Sequence, residues 1–248
     1  MALAQPLEGQ QVLVAGGTGE VGEGIVRQFL RAGATVIVPS RTQQRLEILR
    51  EQLAVDAVDA DLTKRLITRQ ANLSDIVSAQ TLAATLQQEF GIIQHVVASL
   101  GGWWEGKPLV ELDMATWQQH IDSSLTAHFV CARAFLPQML QISGSYTFIN
   151  GGGALHPVAG SGPMSVSDAA QIMLQRVLAA ELAQTNIRVN SLLLTTAVKT
   201  RSYPTGSDNW PSADDVGQVC ISLATGEVRG DTVIIESREQ IESREQLP

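Results

Sequence analysis

Positive charge is scarce in this chain: 17 Lys and Arg stand against 25 Asp and Glu, for a net charge of −8. Nucleic-acid binding needs a clustered basic face and an anionic membrane attracts basic segments, so neither partner is expected. Cysteine is nearly absent. Cys131 and Cys220 lie in apolar helical patterns and lack the short spacing of a zinc site, which predicts two buried, reduced thiols. Long apolar runs are missing too, and none reaches the length of a bilayer span. Residues 1–11 hold neither the basic n-region nor the apolar h-region of a signal peptide, so a cytoplasmic protein is expected. Histidine is sparse: His95, His120 and His128 scatter over a strand and a helix without metal-ligand spacing, and no metal site is expected.

Glycine, by contrast, is concentrated where it is informative. The apolar run Val12-Leu13-Val14-Ala15 leads directly into Gly16-Gly17-Thr18-Gly19-Glu20-Val21-Gly22. Gly17-x-Gly19-x-x-Gly22 has the spacing of the dinucleotide fingerprint, in which missing side chains permit a tight turn and let backbone N–H groups close on a pyrophosphate. Context strengthens the signal. Ile25, Val26, Phe29 and Leu30 give the next segment one apolar helical face, Gly33 sits where a C-cap belongs, and Ala34 to Val38 reads as a second strand.

The alternation continues along the chain. Helices are expected at 42–53, 75–90, 114–140, 164–184 and 212–224, and strands within 66–73 and at 94–99, 145–150, 187–194 and 231–235. Residues 55–61 read as an irregular acidic connection, and Gly101-Gly102-Trp103-Trp104 as a loop. This order predicts an α/β protein: a Rossmann-like doubly wound parallel sheet of about seven strands, helices on both faces, and ligands at the strands' C-terminal ends. Residues 1–236 form one domain in this reading. Residues 237–248, which contain a repeat of Glu-Ser-Arg-Glu-Gln, form a polar solvated tail.

From Gln11 to Ile235 the order and spacing resemble the short-chain dehydrogenase/reductase family. The glycine turn, Trp117, Phe135-Leu136-Pro137-Gln138-Met139 and Arg188-Val189-Asn190 carry the likeness, although Glu20 stands where the commonest version has glycine. Asn72-Leu73-Ser74-Asp75 resembles the family's adenine-contacting element, and Asn72 can offer a carbonyl oxygen there. Ala98-Ser99-Leu100-Gly101 replaces the family's Asn-Asn-Ala-Gly turn, and Thr195-Thr196 stands where relatives carry Pro-Gly. The resemblance thus implies a cofactor site built from Gly16 to Gly22, Ser40, Arg41, Asn72, Leu73, Ser99, Gly101 and Thr195. At the end of strand two, a hydroxyl beside a guanidinium, Ser40-Arg41, suits the 2′-phosphate of NADP(H), with NAD(H) the alternative. The competing reading of Arg41 is a solvated residue at a helix start.

The family's reaction uses a serine, a tyrosine, a lysine four residues later and an asparagine. In this chain the matching positions hold Gly151, Met164, Asp168 and Ser124. A thioether has no transferable proton, and that step contributes about 10²–10⁴ in rate. A carboxylate in place of the ammonium raises the pKa of a neighbouring acid instead of lowering it. Two tyrosines are present, Tyr146 at the start of a strand and Tyr203 in a loop, and neither has a lysine four residues on. His156, Lys199 and Tyr203 are the candidates for relocated chemistry. Trp103 and Trp104 either floor an apolar pocket or pack their loop onto the domain.

Three readings follow. One is an NADP(H)-binding protein without the standard hydride-transfer machinery, a pseudoenzyme serving as sensor, regulatory subunit or partner. The second is an NADPH-dependent oxidoreductase with relocated groups, and the third an interaction protein that binds no dinucleotide. Relatives pair through helices matching 116–140 and 164–184, whose apolar positions here exceed one core-facing stripe, so a homodimer or homotetramer is expected.

Overall fold

The computed structural model describes residues 5–55 and 62–245. Seven strands, β1 (Gln11–Ala15), β2 (Thr35–Ser40), β3 (Leu66–Gln70), β4 (His95–Ala98), β5 (Gly144–Gly151), β6 (Ile187–Leu194) and β7 (Thr232–Ile235), form one sheet. Its order is β3-β2-β1-β4-β5-β6-β7 and every pairing is parallel. The chain builds outward from β1 to β3 and then returns to add β4 on the other side. That reversal leaves a crevice beyond the C-terminal ends of β1 and β4, where such sheets bind ligands.

Alternation along each strand sorts the core into two layers. Val12, Val14, Val36 and Val38 face one side with Phe29 and Leu30 of α1 (Glu20–Arg31), whereas Leu13, Ala15 and Ile37 face the other with Phe135, Tyr146 and Phe148. Helices α2 (Gln43–Val55), α7 (Ala213–Thr225) and α1 cover the first face. The second is covered by α3 (Ile76–Phe90), α5 (Ala127–Met139) and α6 (Gly162–Glu181), and α4 (Met114–Ile121) packs outside them against α6. Side-chain caps fix several helix starts as the sequence predicts: Asp75 accepts from Ser78 N–H at 2.7 Å, Asp113 from Thr116 N–H at 2.8 Å, and Ser212 and Asp215 form a reciprocal box. Cys131 and Cys220 are buried and unpaired.

Two features depart from expectation. The single helix expected at 114–140 is interrupted by a π turn at 122–126, so α4 and α5 are rotated relative to a regular helix. The tail is also not merely solvated. Residues 238–245 form helix α8 (Arg238–Glu245), because Ile241, between the two polar repeats, is buried to 3% exposure in the first core layer. Arg238 supports that helix with an ion pair to Glu242 one turn on at 3.1 Å. The connection expected at 55–61 lies outside the described residues beyond Val55.

Candidate nucleotide site and the altered catalytic positions

A cleft of about 490 Å³ opens at the crevice between β1 and β4. Gly16, Thr18 and Gly19 form its floor, Ser40 and Arg41 one end, and Asn72, Leu73, Ser99 and Gly101 the other wall, so nine of the predicted cofactor residues converge there. Gly16 has φ +80°, and a Cβ on it would lie 1.9 Å from the Ser99 carbonyl oxygen. No other residue type fits a turn that tight. Gly19 caps α1 and donates its N–H to Gly16 O at 2.9 Å, leaving the first N–H groups of the helix beside the cleft. The remaining predicted residues do not line it. Gly17 packs against Val26 and Val38, and a Cβ on Gly22 would meet Gly16 O, so both are needed by the turn without facing the cleft. Val21 packs on the core, and Thr195 Oγ1 donates to Ile235 O at 3.3 Å.

Glu20 turns away as well. It accepts from Ser202 N–H at 3.2 Å and lines a second cleft with Glu23, Arg27, Lys199 and Arg201. Burial works to raise its pKa, but hydrogen bonds from Ser202 and Thr200 and the Arg201 charge outweigh it and hold the carboxyl below its usual value. Glu23, 7% exposed, pairs with Arg27 at 2.5 Å and with Arg201. Segment 199–203 is thereby fastened to the helix that carries the glycine turn.

Arg45 also lines the cleft and was not singled out by the sequence. Its signal is its nearness in sequence: it lies four residues after Arg41, in the first turn of α2, and both residues line the cleft. Neither makes an ion pair among the described residues. Gln70 Nε2 donates to Arg41 O at 3.1 Å and steadies the junction. Asn72 Oδ1 accepts from Ser74 N–H at 3.1 Å, so one lone pair of the carbonyl expected to meet adenine is already used. Trp103, 70% exposed, stands at the mouth, while Trp104 packs on His120 with ring centroids 4.6 Å apart. The two tryptophans divide the roles that the sequence left open.

The positions altered from the family pattern fall into two groups, Asp168 and Met164 against Gly151 and Gly153, and Ser124 beside Gly101 of the cleft wall. Asp168 is 8% exposed, and its Oδ2 lies 2.9 Å from where a Cβ on Gly151 would be and 3.1 Å from the same point on Gly153. Met164 Cε lies 3.3 Å from that Gly153 point. The expectation that Asp168 acts as a fixed anion needs correction: burial pushes its carboxyl up to about 7, because no cation is paired with it among the described residues. Ser124 joins a polar chain that sequence reasoning missed. Gln171 Nε2 donates to Ser124 Oγ at 2.7 Å, Asn150 Nδ2 to Gln171 Oε1 at 2.9 Å, and Ser191 Oγ to Asn150 Oδ1 at 3.1 Å.

The proposed substitutes are not gathered at this point. His156 is exposed, Tyr203 is 57% exposed and stacks on Trp210, and Lys199 lies 3.7 Å from Asp208. Tyr146 is fully buried low in β5, tilted against Phe148. His128 is neutral: burial lowers its pKa to about 4, and its Nε2–H donates to Leu100 O at 3.2 Å. His95, held between Ser145 and Gln10, is likewise lowered to about 4 by burial. Among the described residues no three His, Cys, Asp or Glu side chains gather around a common point for a metal ion.

A doubly wound sheet with a glycine turn at its switch point and a basic end beyond β2 defines a protein of the dinucleotide-binding class. Residues 10–205 match the short chain dehydrogenase family, and the chain belongs to that family. Among its relatives, 2,3-dihydroxy-2,3-dihydro-p-cumate dehydrogenase of Pseudomonas putida is 36% identical over 137 residues, 55% of this chain and 51% of the relative. Dehydrogenase/reductase SDR family member 4 of Sus scrofa is 29% identical over 199 residues, 76% of this chain and 66% of the relative. The chain thus spans about half to two thirds of the length of these relatives. A short chain dehydrogenase of Shigella flexneri, solved in complex with NADP, shares the fold with a TM-score of 0.81 at 21% identity, covering 94% of this chain and 99% of its own.

Proposed function

We propose that this chain is an NADP(H)-binding member of the family that does not carry out the family's hydride transfer, and that it serves as a sensor, regulatory subunit or partner. The observation that carries the reading is the packing of Asp168 and Met164 beneath Gly151 and Gly153, which leaves neither a phenol nor an ammonium at the reacting end. The cofactor fits elsewhere. Gly16 and Gly19 provide a backbone cradle for a pyrophosphate at the start of α1, and Arg41 and Arg45 suit a ribose 2′-phosphate. The NADP-bound Shigella relative of the same fold supports that choice over NAD. When bound, the nicotinamide would supply or accept a hydride; the tyrosine and lysine positions of the family pattern hold Met164 and Asp168 here. Asp168, 8% exposed and pushed up to about 7 by burial, is not the cation that the family pattern places there.

Calorimetry and turnover test this together. NADPH is expected to bind the full chain, and Arg41→Ala/Arg45→Ala to weaken NADPH by about 10–100-fold while leaving NADH within about threefold, because charge-assisted bonds at an exposed rim contribute about 1–2 kcal/mol each. NADPH oxidation with a broad carbonyl panel is expected to stay at the buffer rate. Steady turnover would overturn the non-catalytic reading, and absence of binding by any dinucleotide would favour an interaction protein.

Two accompanying proposals concern context. Exposed Phe129 on α5 and Val166, Met173 and Val177 on α6 support pairing of two copies through 116–140 and 164–184. Sedimentation is expected to give a dimer or tetramer, and a monomer at micromolar concentration would refute it. No helix among the described residues is long and apolar enough to cross a membrane. The buried free thiols Cys131 and Cys220 favour a reducing, cytoplasmic setting.

A further inference from the structure

One face of α6 climbs toward the strand ends. Gln175 Nε2 donates to Val189 O at 2.8 Å low on β6, Gln171 meets Asn150 near the end of β5, and Asp168, one turn earlier in the helix, lies against Gly151, the last residue of that strand. Asp168 is therefore the charged residue of α6 nearest the side on which such a sheet binds ligands. Gln171 also donates to Ser124 Oγ at 2.7 Å, and Ser124 stands beside Gly101 of the cleft wall, so the carboxyl lies about one helical turn beyond that wall.

No group among the described residues satisfies this carboxyl. Glycine at 151 and 153 makes room for it, it is 8% exposed, and it has no hydrogen-bond or ion-pair partner there. The elements packed most closely on α6 are the turn at 152–154, β5, β6, α4 and the π turn at 122–126. Their charged and titratable groups are engaged elsewhere: Arg188 donates to Ala224 O low on β6, Tyr146 is buried low in β5, Asp122 accepts from Gln118 and Thr126, and His120 packs on Trp104. In the loop after β4, Glu105 lies against Gly160, and His156 beyond the 152–154 turn is exposed. An unpartnered buried carboxyl is costly, and one placed at the ligand-binding edge of a sheet is a candidate for contact with a ligand.

With a pyrophosphate on Gly16 and Gly19 and a 2′-phosphate at Arg41 and Arg45, the adenosine half of the ligand occupies the β2 side of β1 and the other half is directed to the β4 side. Neighbouring strands are about 4.8 Å apart, so the end of β5 is about 10 Å from the end of β1, within reach of a ribose and its ring. Ser99, Ser123 and His120 line this part of the cleft, and Ser124 keeps its hydroxyl proton; the three hydroxyls can bond to either oxidation state. NADP⁺ and NADPH differ in charge, because the oxidised ring is a cation and the reduced ring is neutral. We propose that Asp168 makes the site discriminate the redox state of its ligand, its carboxylate favouring the cationic ring of NADP⁺ over the neutral ring of NADPH. This rests on the nucleotide-binding reading above and deepens it: the ligand sensed is the oxidised form. An ammonium at the same position, as in the family pattern, would oppose the cation. Because burial pushes the Asp168 carboxyl up to about 7, the preference grows with pH: the group is neutral well below that value and an anion above it, and NADP⁺ lowers its pKa whereas NADPH does not.

Calorimetry on the full chain with NADP⁺ and NADPH at about pH 6 and about pH 8.5 tests this. The ratio of the two dissociation constants is expected to shift toward NADP⁺ by about fivefold to tenfold between the lower and the higher pH, a carboxyl pKa lowered by one unit corresponding to tenfold. The 2′-phosphate titrates as well, but it is common to both ligands and cancels in the ratio. In Asp168→Asn, which removes a buried charge and is expected to fold, the ratio should be the same at both pH values. A wild-type ratio that does not change with pH would overturn the inference and leave the nucleotide-binding reading intact. A change that persists in Asp168→Asn would also overturn it, and would assign the effect to His120, the cleft-lining group that can gain a positive charge. Failure of both ligands to bind would overturn both readings.

Discussion

Asp168→Asn is expected to stabilise the protein more as the pH rises. The carboxyl has a pKa of about 7 in the folded chain against an ordinary 3.8, and burial is the cause. Below the ordinary value both folded and unfolded chains hold the proton, so the group costs nothing. Between 3.8 and about 7 the unfolded chain gives up its proton while the folded chain keeps it, and stability falls with pH; above about 7 the loss is constant. Asparagine carries no charge at any pH and escapes this slope. At 8% exposure solvent screening is slight. From pH 5.5 to 8.5 the advantage of the variant should therefore grow by about 2 kcal/mol, at roughly 1.4 kcal/mol per unit. Urea denaturation of both proteins at the two pH values measures it. A difference that does not change with pH would show that Asp168 titrates normally.

The second large effect belongs to the glycine turn. Gly16→Ala is expected to cost about 3 kcal/mol or more and to weaken NADPH binding at least about tenfold, since a positive φ costs about 1–2 kcal/mol and overpacking adds a similar amount. The new Cβ would sit 1.9 Å from the Ser99 carbonyl oxygen, so β1 and β4 must separate at the point where the cleft begins. Gly91 supplies the control. Its φ is +81°, nearly that of Gly16, but nothing lies within 4 Å of where its Cβ would be. Gly91→Ala should cost only the backbone strain of a residue at φ +81° and ψ −164°, about 1–3 kcal/mol, and leave binding unchanged. Equal destabilisation by the two substitutions would show that the contact with Ser99 does not matter.

The contrast between these residues shows what the sequence made legible. The glycine turn, the strands and most helix limits could be read because local spacing dictates them: apolar runs for buried parallel strands, capping residues for helix starts. The convergence of Ser40, Arg41, Asn72 and Ser99 followed from the order of strands, which local pattern and family likeness both indicated. Other parts depend on distant partners. Asn150, Gln171 and Ser124 are 21 and 47 residues apart along the chain, and only folding reveals that they share hydrogen bonds. Asp168 looked like a simple anion because its sequence neighbours do not show that Gly151 and Gly153 will cover it. Ile241 was hidden in a polar repeat, where a single apolar residue gives no periodic signal. Arg45 was within reach of the sequence, four residues after an arginine already singled out, but its neighbours read as an ordinary charged helix.

The π turn at 122–126 makes the length of this segment as important as its composition. Successive residues of a regular helix are about 100° apart around its axis, and a π turn accommodates one residue more. Removing one residue here would restore regular winding and swing α4 around relative to α5, carrying His120 away from the cleft that it lines and Trp104 with it. A single deletion, with every contacting side chain retained, would thus dismantle one wall of the nucleotide site, whereas many substitutions on the outer face of the same helix would leave that wall in register.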